Sequence, residues 1–335
     1  MKQYKIFCLA LLIIFGCFLC LSGCSEDTLE DCKASEPDIP VKLALKNTPG
    51  QSGTYRVKTM SQRKISIEGP AKENPLSNNG SQTTKEVEIV FDSSVKKITK
   101  EGNALEEITI RELKYFTEIT SSTTLDFDST KDKDPNNALS ALIDHSYTIE
   151  VTPSGQVANI FGIGGFLEFI KNTTTNFDVA KGLLAESSIK LRHSIPLPDA
   201  NDNELLYNDT WNNIVTYDFD QMGTQSFERI YTLNHISSSV AGKLKAGIVM
   251  NAVPSMKGIS GAGQEDGSPS VPPMADIKQT YTGSMEMDAS EGILLKYQEE
   301  LVNQWLIIPP SSNPDRAPSA FYMTATRKYD IEKVK

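Results

Sequence analysis

Five cysteines stand at positions 8, 17, 20, 24 and 32, spaced C-x8-C-x2-C-x3-C-x7-C. Thiolates at such intervals hold a metal or an iron–sulfur cluster only if they persist in the folded protein and converge on one point. A second candidate is Asp126-Phe-Asp128-Ser-Thr130-Lys-Asp132-Lys-Asp134, which sets oxygen ligands at alternate residues, as a calcium loop begins. Lys131 takes the place of the loop's glycine and Asn137 that of its bidentate glutamate, so a solvated acidic turn is the favoured reading. A third is Gly162-Ile-Gly164-Gly-Phe-Leu167, between a strand and a helix as a dinucleotide fingerprint requires. Leu167 stands at the third glycine position and no alternating β/α pattern surrounds it, so a glycine-assisted turn explains it better; the glycines of 258–267 are a weaker case still. The imidazoles are His145, His193 and His235, none in an H-E-x-x-H pattern, and no G-x-S-x-G elbow occurs. Asp144 and His145 are sequence neighbours, which points their side chains apart. With 43 acidic residues many carboxylate pairs are conceivable, but no pair is singled out. Neither a catalytic residue, a metal nor a cofactor is expected.

The cysteines read differently in context. Lys2 and Lys5 precede an almost unbroken apolar run from Ile6 to Leu21, followed by Ser22, Gly23, Cys24 and the abruptly acidic SEDTLEDCKASEPD. A basic start, an apolar core and small residues at a cut site make up a secretory signal peptide. Leu21-Ser22-Gly23-Cys24 resembles the bacterial lipobox. That resemblance implies cleavage between Gly23 and Cys24, a diacylated Cys24 sulfur and, often, an acylated new N-terminus. Cleavage would remove Cys8, Cys17 and Cys20 together and leave Cys32 in a tether without a clear role. The alternatives are an uncleaved membrane anchor, since the run nearly reaches spanning length, and, without lipidation, a Cys24–Cys32 disulfide in an oxidising compartment. Each buried methylene adds about 0.8 kcal/mol, so two or three acyl chains hold firmly where one does not. Ser25 rather than Asp after the cysteine resembles a signal to proceed to the outer membrane. The expected place is therefore the cell envelope, on the outer membrane's periplasmic face or the cell surface.

Charge and length set further limits. The 335 residues carry 33 basic and 43 acidic side chains, a net of −10, and loss of residues 1–23 makes the balance two charges more negative. Such a field repels phosphate backbones, and KDKD (131–134) and KLK (243–245) are too short to be basic patches, so nucleic acid is not an expected partner. A chain of this length buries most of its unfolded surface and needs no disulfides for a core.

The elements that would position any site are mostly strands. Residues 24–40 read as a flexible tether, and 41–335 as a β-rich globular domain. Alternation of apolar and polar residues predicts strands over 54–67, 86–92, 106–119 and 123–128, with a Pro/Asn/Gly/Ser loop at 69–84. A hairpin is expected over 145–162, turning at Pro153-Ser154-Gly155. Ile163, Phe166, Leu167 and Ile170 form a helical stripe, and a second helix is expected from about Asp178 to Arg192, stopped by Pro196 and Pro198. A further short helix is expected over 138–145, before this helical pair near 161–192. Strands return at 210–222, 226–237, 242–251, 277–308 and 321–334, around a Gly/Ser/Pro stretch, 254–276, read as a disordered or functional insertion. The fold class is α+β with antiparallel sheets, and the shared strand–turn–strand phrases TIEVTPSGQVANI and SMEMDASEGILLKY raise the possibility of two similar halves. Trp211 and Trp305 are expected to pack rather than to present a ligand platform.

The body also resembles, through LDFDSTKD (125–132), ALIDHSYTIEVTPSGQV (141–157) and YTGSMEMDASEGILL (281–295), an uncharacterised group of bacterial lipoproteins classed as a domain of unknown function. The resemblance covers residues 50–310 and implies neither an activity nor a site. The sequence thus describes a membrane-anchored envelope lipoprotein, a non-enzymatic binding or structural module that meets the membrane through its N-terminal lipid and has an envelope protein or an apolar ligand as partner. One alternative is a carrier whose curved sheet cradles an apolar ligand, with Phe161, Phe166, Phe169 and Ile170 lining the cavity unless they are plain core. The other is an envelope hydrolase.

Overall fold

The computed structural model describes residues 39–68, 80–173, 175–199, 204–219, 222–239, 242–255, 274–308 and 320–334. The strands run β1 (Ser52–Glu68), β2 (Gln82–Ile98), β3 (Ala104–Ile119), β4 (Ser122–Asp128), β5 (Ser146–Val151) and β6 (Val157–Phe161) before the helices. After them come β7 (Thr210–Asp218), β8 (Thr224–Ser238), β9 (Leu244–Ser255), β10 (Met274–Asp288), β11 (Ile293–Ile307) and β12 (Ala320–Lys333). All belong to one antiparallel sheet in the order β6-β5-β3-β2-β1-β12-β11-β10-β9-β8-β7, with β4 beside β3. The two phrases read as a possible repeat occupy unlike places: β5–β6 is an edge hairpin, β10–β11 an interior one.

The strands alternate as the sequence predicts, but bulges reset the phase. On β11 the buried positions are Leu294 and then Tyr297, Glu299, Leu301, Asn303 and Trp305. The jump from 294 to 297 coincides with a register shift against Glu286/Met287, which turns one residue out of the count. Shifts at Val90/Phe91 and Leu233/His235 do the same on β2–β3 and β8–β9.

Three short helices, α1 (Ile163–Ile170), α2 (Phe177–Leu183) and α3 (Glu186–His193), replace the expected pair. The helix anticipated from Asp178 to Arg192 breaks at Leu184–Ala185, where Ala185 is extended (ψ 142°) and starts a new helix. Over 138–145 only a single 3₁₀ turn, Ser140–Leu142, forms. The segment taken as an insertion is shorter than expected, because Pro254 and Ser255 end β9 and Met274 begins β10; the residues between lie outside the description. Gln82–Thr84, read as loop, start β2.

The sheet curls around α3 and the residues after it. The Tyr147 hydroxyl on β5 meets His193 Nε2 at 2.6 Å, and Tyr329 on β12 donates to the Arg192 carbonyl at 3.0 Å. From β7, the far edge, Trp211 Nε1 donates to the Pro196 carbonyl at 2.9 Å. Strands near opposite ends of the sheet therefore grip one five-residue stretch, 192–196, which requires a trough with its seam between β6 and β7. Residues 41–51 strap one end of it: Val41 bridges Leu205, Leu45 N–H bonds the Pro153 carbonyl, and Lys46 Nζ bonds the Ala289 and Ser290 carbonyls. Gly292 (φ +64°) allows that crossing, since a Cβ there would lie 2.5 Å from the Lys46 nitrogen.

Candidate functional site

Between α3 and the concave wall lies a cavity of about 270 Å³. The antiparallel register arranges its wall in rows. Lys85, Ser61, Arg327, Leu301 and Tyr281 stand side by side on β2, β1, β12, β11 and β10. The next inward-facing row is Val87, Thr59, Tyr329 and Glu299, and the one after contributes Ile89 and Val57, deeper toward the strapped end. Leu183, Ser188, Leu191 and Arg192 of α2 and α3 close the other side. The wall thus passes from a row with two cations, through a mixed row that carries Glu299, to apolar Val57 and Ile89. Lys85 and Leu191 are both exposed, Leu191 at 53 %, so the cavity reaches the surface at its charged end.

A buried polar cluster flanks this space. Arg229 on β8 and Glu299 on β11 form an ion pair at 2.6 Å, with only 8 % of the Glu299 side chain exposed. Tyr281 donates to the other Glu299 oxygen at 2.5 Å and shares a 2.9 Å hydrogen bond with Tyr217, while Tyr231 and Tyr297 are linked at 3.0 Å. Burial works to lower the Arg229 pKa, but the Glu299 carboxylate more than reverses this and holds it above the usual arginine range. Burial, then the same carboxylate, pushes the Tyr281 hydroxyl far above the ordinary phenol value. Gly283 lies opposite Glu299 in the register, and a Cβ there would come within 2.6 Å of the Gln298 carbonyl and 3.0 Å of the Met250 methyl.

A smaller space of about 100 Å³ lies beneath the strap, bordered by Glu106, Ser93, Asn47, Tyr55 and His193. Burial raises the Glu106 pKa, opposed by hydrogen bonds from Ser93 (2.7 Å) and Asn47 (3.1 Å). Burial, aided by the nearby Arg192 charge, pushes His193 well below the usual histidine value. Tyr55 is pushed up to about 12 by burial and by Glu106. The carboxylates lining the two spaces both have each oxygen engaged, Glu299 by Arg229 and Tyr281, and Glu106 by Asn47 and Ser93. These bonds make them anchors of the wall rather than free bases on a cleft.

Of the residues singled out in the sequence, Gly23, Cys24 and Cys32 lie outside the described residues, as does 258–267. The acidic run at 126–134 is a self-capped turn: Asp128 accepts from the Thr130 N–H and hydroxyl, its pKa held to about 2 chiefly by those bonds, and Asp132 accepts from the Asp128 N–H. No three His, Cys, Asp or Glu side chains gather as a metal site among the described residues. Gly162 (φ +87°) makes the turn into α1. His145 stacks on Phe169 at 4.3 Å, its neighbour Asp144 reaches away to Arg111 at 2.6 Å, and His235 is exposed. Trp211 stacks on Tyr231 and Trp305 packs edge-on to Phe219.

The expected apolar lining needs correction. Phe166 and Ile170 are core, Phe161 and Phe169 are exposed, and none of the four borders the cavity. The helix break at 184–185 is the reason, because it lays α2 and α3, not α1, over the trough. Arg192, Arg229, Glu299 and Arg327 escaped sequence reading. For the three on strands the one signal is a charge within an apolar alternation, as Glu299 stands between Tyr297 and Leu301; Arg192, on α3, has none.

No protein-family model and no curated protein matches this sequence. Among solved structures, the chain is similar to one described as lipid–protein interactions in lipovitellin, at 8 % identity and a TM-score of 0.41, over 86 % of this chain and 25 % of that one. It thus spans about a quarter of that lipovitellin chain. It is also similar to OccK7 (OpdD) of Pseudomonas aeruginosa, at 8 % identity and a TM-score of 0.20, over 85 % of this chain and 99 % of that one.

Proposed function

We propose that the protein is a lipid-anchored envelope lipoprotein, fixed to the membrane through Cys24, whose trough holds an apolar or amphiphilic ligand beneath α2 and α3. The observation that carries this is the graded cavity: an apolar floor of Val57, Val87 and Ile89 that opens to the surface beside Leu191. Apolar walls of this kind gain dispersion contacts from an acyl or other hydrocarbon chain that fits between them. The anchor rests on the lipobox-like sequence and places such a cavity within reach of a bilayer, where ligands of that kind are found.

Organic extraction of the protein purified from membranes, followed by mass spectrometry, tests the binding role. A bound amphiphile in stoichiometric amount is expected. Val87→Trp, which adds bulk where there is room for it, should remove that ligand while the melting transition stays cooperative. Recovery of no lipid from the unsubstituted protein would count against the carrier reading.

A further inference from the structure

The cations of this acidic protein differ in whether a carboxylate meets them. Several are ion-paired: Arg56 with Glu332 and Glu88, Lys58 and Lys114 with Glu88, and Lys328, which also borders the cavity, with Glu300. Inside the trough, Lys85, Arg192 and Arg327 all line the cavity, and none has a carboxylate partner among the described residues. Lys85 lies over the Tyr115 ring at 5.2 Å and Arg327 over Tyr217 at 5.0 Å, donating also to the Asp218 carbonyl. Arg192 is only 6 % exposed; one of its nitrogens donates to the Leu183 carbonyl, and its Nε has no partner. Glu299 lines the same space but is held by Arg229 and Tyr281.

A buried guanidinium without a counter-ion is costly, and the cost is relieved by an anion that reaches it. Lys85 and Arg327 flank Ser61 in one row, on strands two apart, hence about 10 Å from each other at ~4.8 Å per strand. That row is the open end of a wall whose deepest lining residues, Val57 and Ile89, are apolar. The volume, 270 Å³, falls just under the ~300–1,000 Å³ of ordinary small-molecule sites and suits one chain rather than two.

We infer that the cavity takes a single-chain anionic amphiphile, a carboxylate or phosphate monoester, with its head among Arg192, Arg327 and Lys85 and its tail toward Val57 and Ile89. This deepens the carrier reading and rests on it. The test uses the full chain anchored in phosphatidylcholine nanodiscs, with twelve-carbon probes bearing a terminal photoreactive diazirine and either a carboxylate or a neutral amide head. Cross-links are mapped to peptides by mass spectrometry, with dodecyl phosphate and dodecanoate as competitors.

The carboxylate probe should label β1, β2 and α3 at least about tenfold more than the amide, the scale of a charge-assisted hydrogen bond. Arg327→Gln, at a half-buried sheet position that leaves the core intact, and Arg192→Gln should each bring its labelling toward that of the amide. Amide labelling, unchanged in the variants, reports that the cavity is still folded. The stronger competitor shows whether carboxylate or phosphate is the preferred head. Equal labelling by both probes would overturn the anionic-head inference and leave the carrier reading standing. No labelling by either would overturn both.

Discussion

Arg229 and Glu299 meet at 2.6 Å although two strands, β9 and β10, separate theirs in the sheet. At ~4.8 Å per strand a flat sheet would hold their backbones about 14 Å apart with side chains pointing the same way. Tyr217 to Tyr281 and Tyr231 to Tyr297 are chords of the same length in strand count. Two of these ties arch over β9 and β10 and the third, from Tyr217, over β8 and β9, which makes this wing the tightly curved one. Glu299→Gln leaves Arg229 charged and buried without its counter-ion and should cost about 3–5 kcal/mol in denaturant unfolding. Replacing both partners with apolar side chains of similar volume should cost far less. If the single and double variants are equally destabilised, the ion pair is not what couples these strands.

His193 supplies a pH signature. Its folded pKa lies below its unfolded value of about 6.5, because burial disfavours the charged ring. The unfolded state therefore binds the proton more tightly. The stability contributed by neutral His193 is complete above about pH 6.5 and is lost as pH falls toward the folded value. Melting temperatures measured from pH 7.5 down to 5 should fall in the unsubstituted protein and fall less in His193→Gln.

Glu106 acts with the opposite sign. Its folded pKa is raised, so the contribution is complete below the unfolded value, about 4.3, and is lost as pH rises. Glu106→Gln, which keeps the shape and an acceptor for Ser93, should melt higher than the unsubstituted protein at pH 7. The difference should shrink toward zero near pH 4. An equal difference at both pH values would mean that packing, not charge burial, sets the effect.

The anchor has its own test. Cys24→Ala should leave the protein unlipidated, so it should no longer fractionate with membranes and should show no mass increment from acyl chains. Persistence in the membrane fraction after a carbonate wash would exclude Cys24 as the anchoring residue.

The strands were legible because most have one face on the core, so Tyr55, Val57 and Thr59 alternate with Arg56 and Lys58. Positions such as Leu294 followed by Tyr297 were not, because a bulge changes the parity without any Gly or Pro to mark it. Hairpins were legible at Pro153-Ser154-Gly155, where turn chemistry is local. The cavity was not: Lys85 and Arg192 are far apart in sequence, and only the curl of the sheet around α3 makes them neighbours of one space. A stripe such as Phe166 and Ile170 reports that a side chain is buried but not against what, which is why the wrong helix was expected over the trough.

The pairing of β1 with β12, register-matched from Tyr55↔Lys333 to Glu68↔Ala320, has a consequence for how the molecule is made. The central seam of the sheet joins strands more than two hundred residues apart, so it forms late and against a large loop-closure entropy. Until the last strand arrives, both β1 and β11 show a raw edge of unpaired amides and carbonyls, the kind of template on which neighbouring chains aggregate. Biogenesis, more than the finished fold, is where this architecture is vulnerable, and a chaperone that shields those edges should determine its yield.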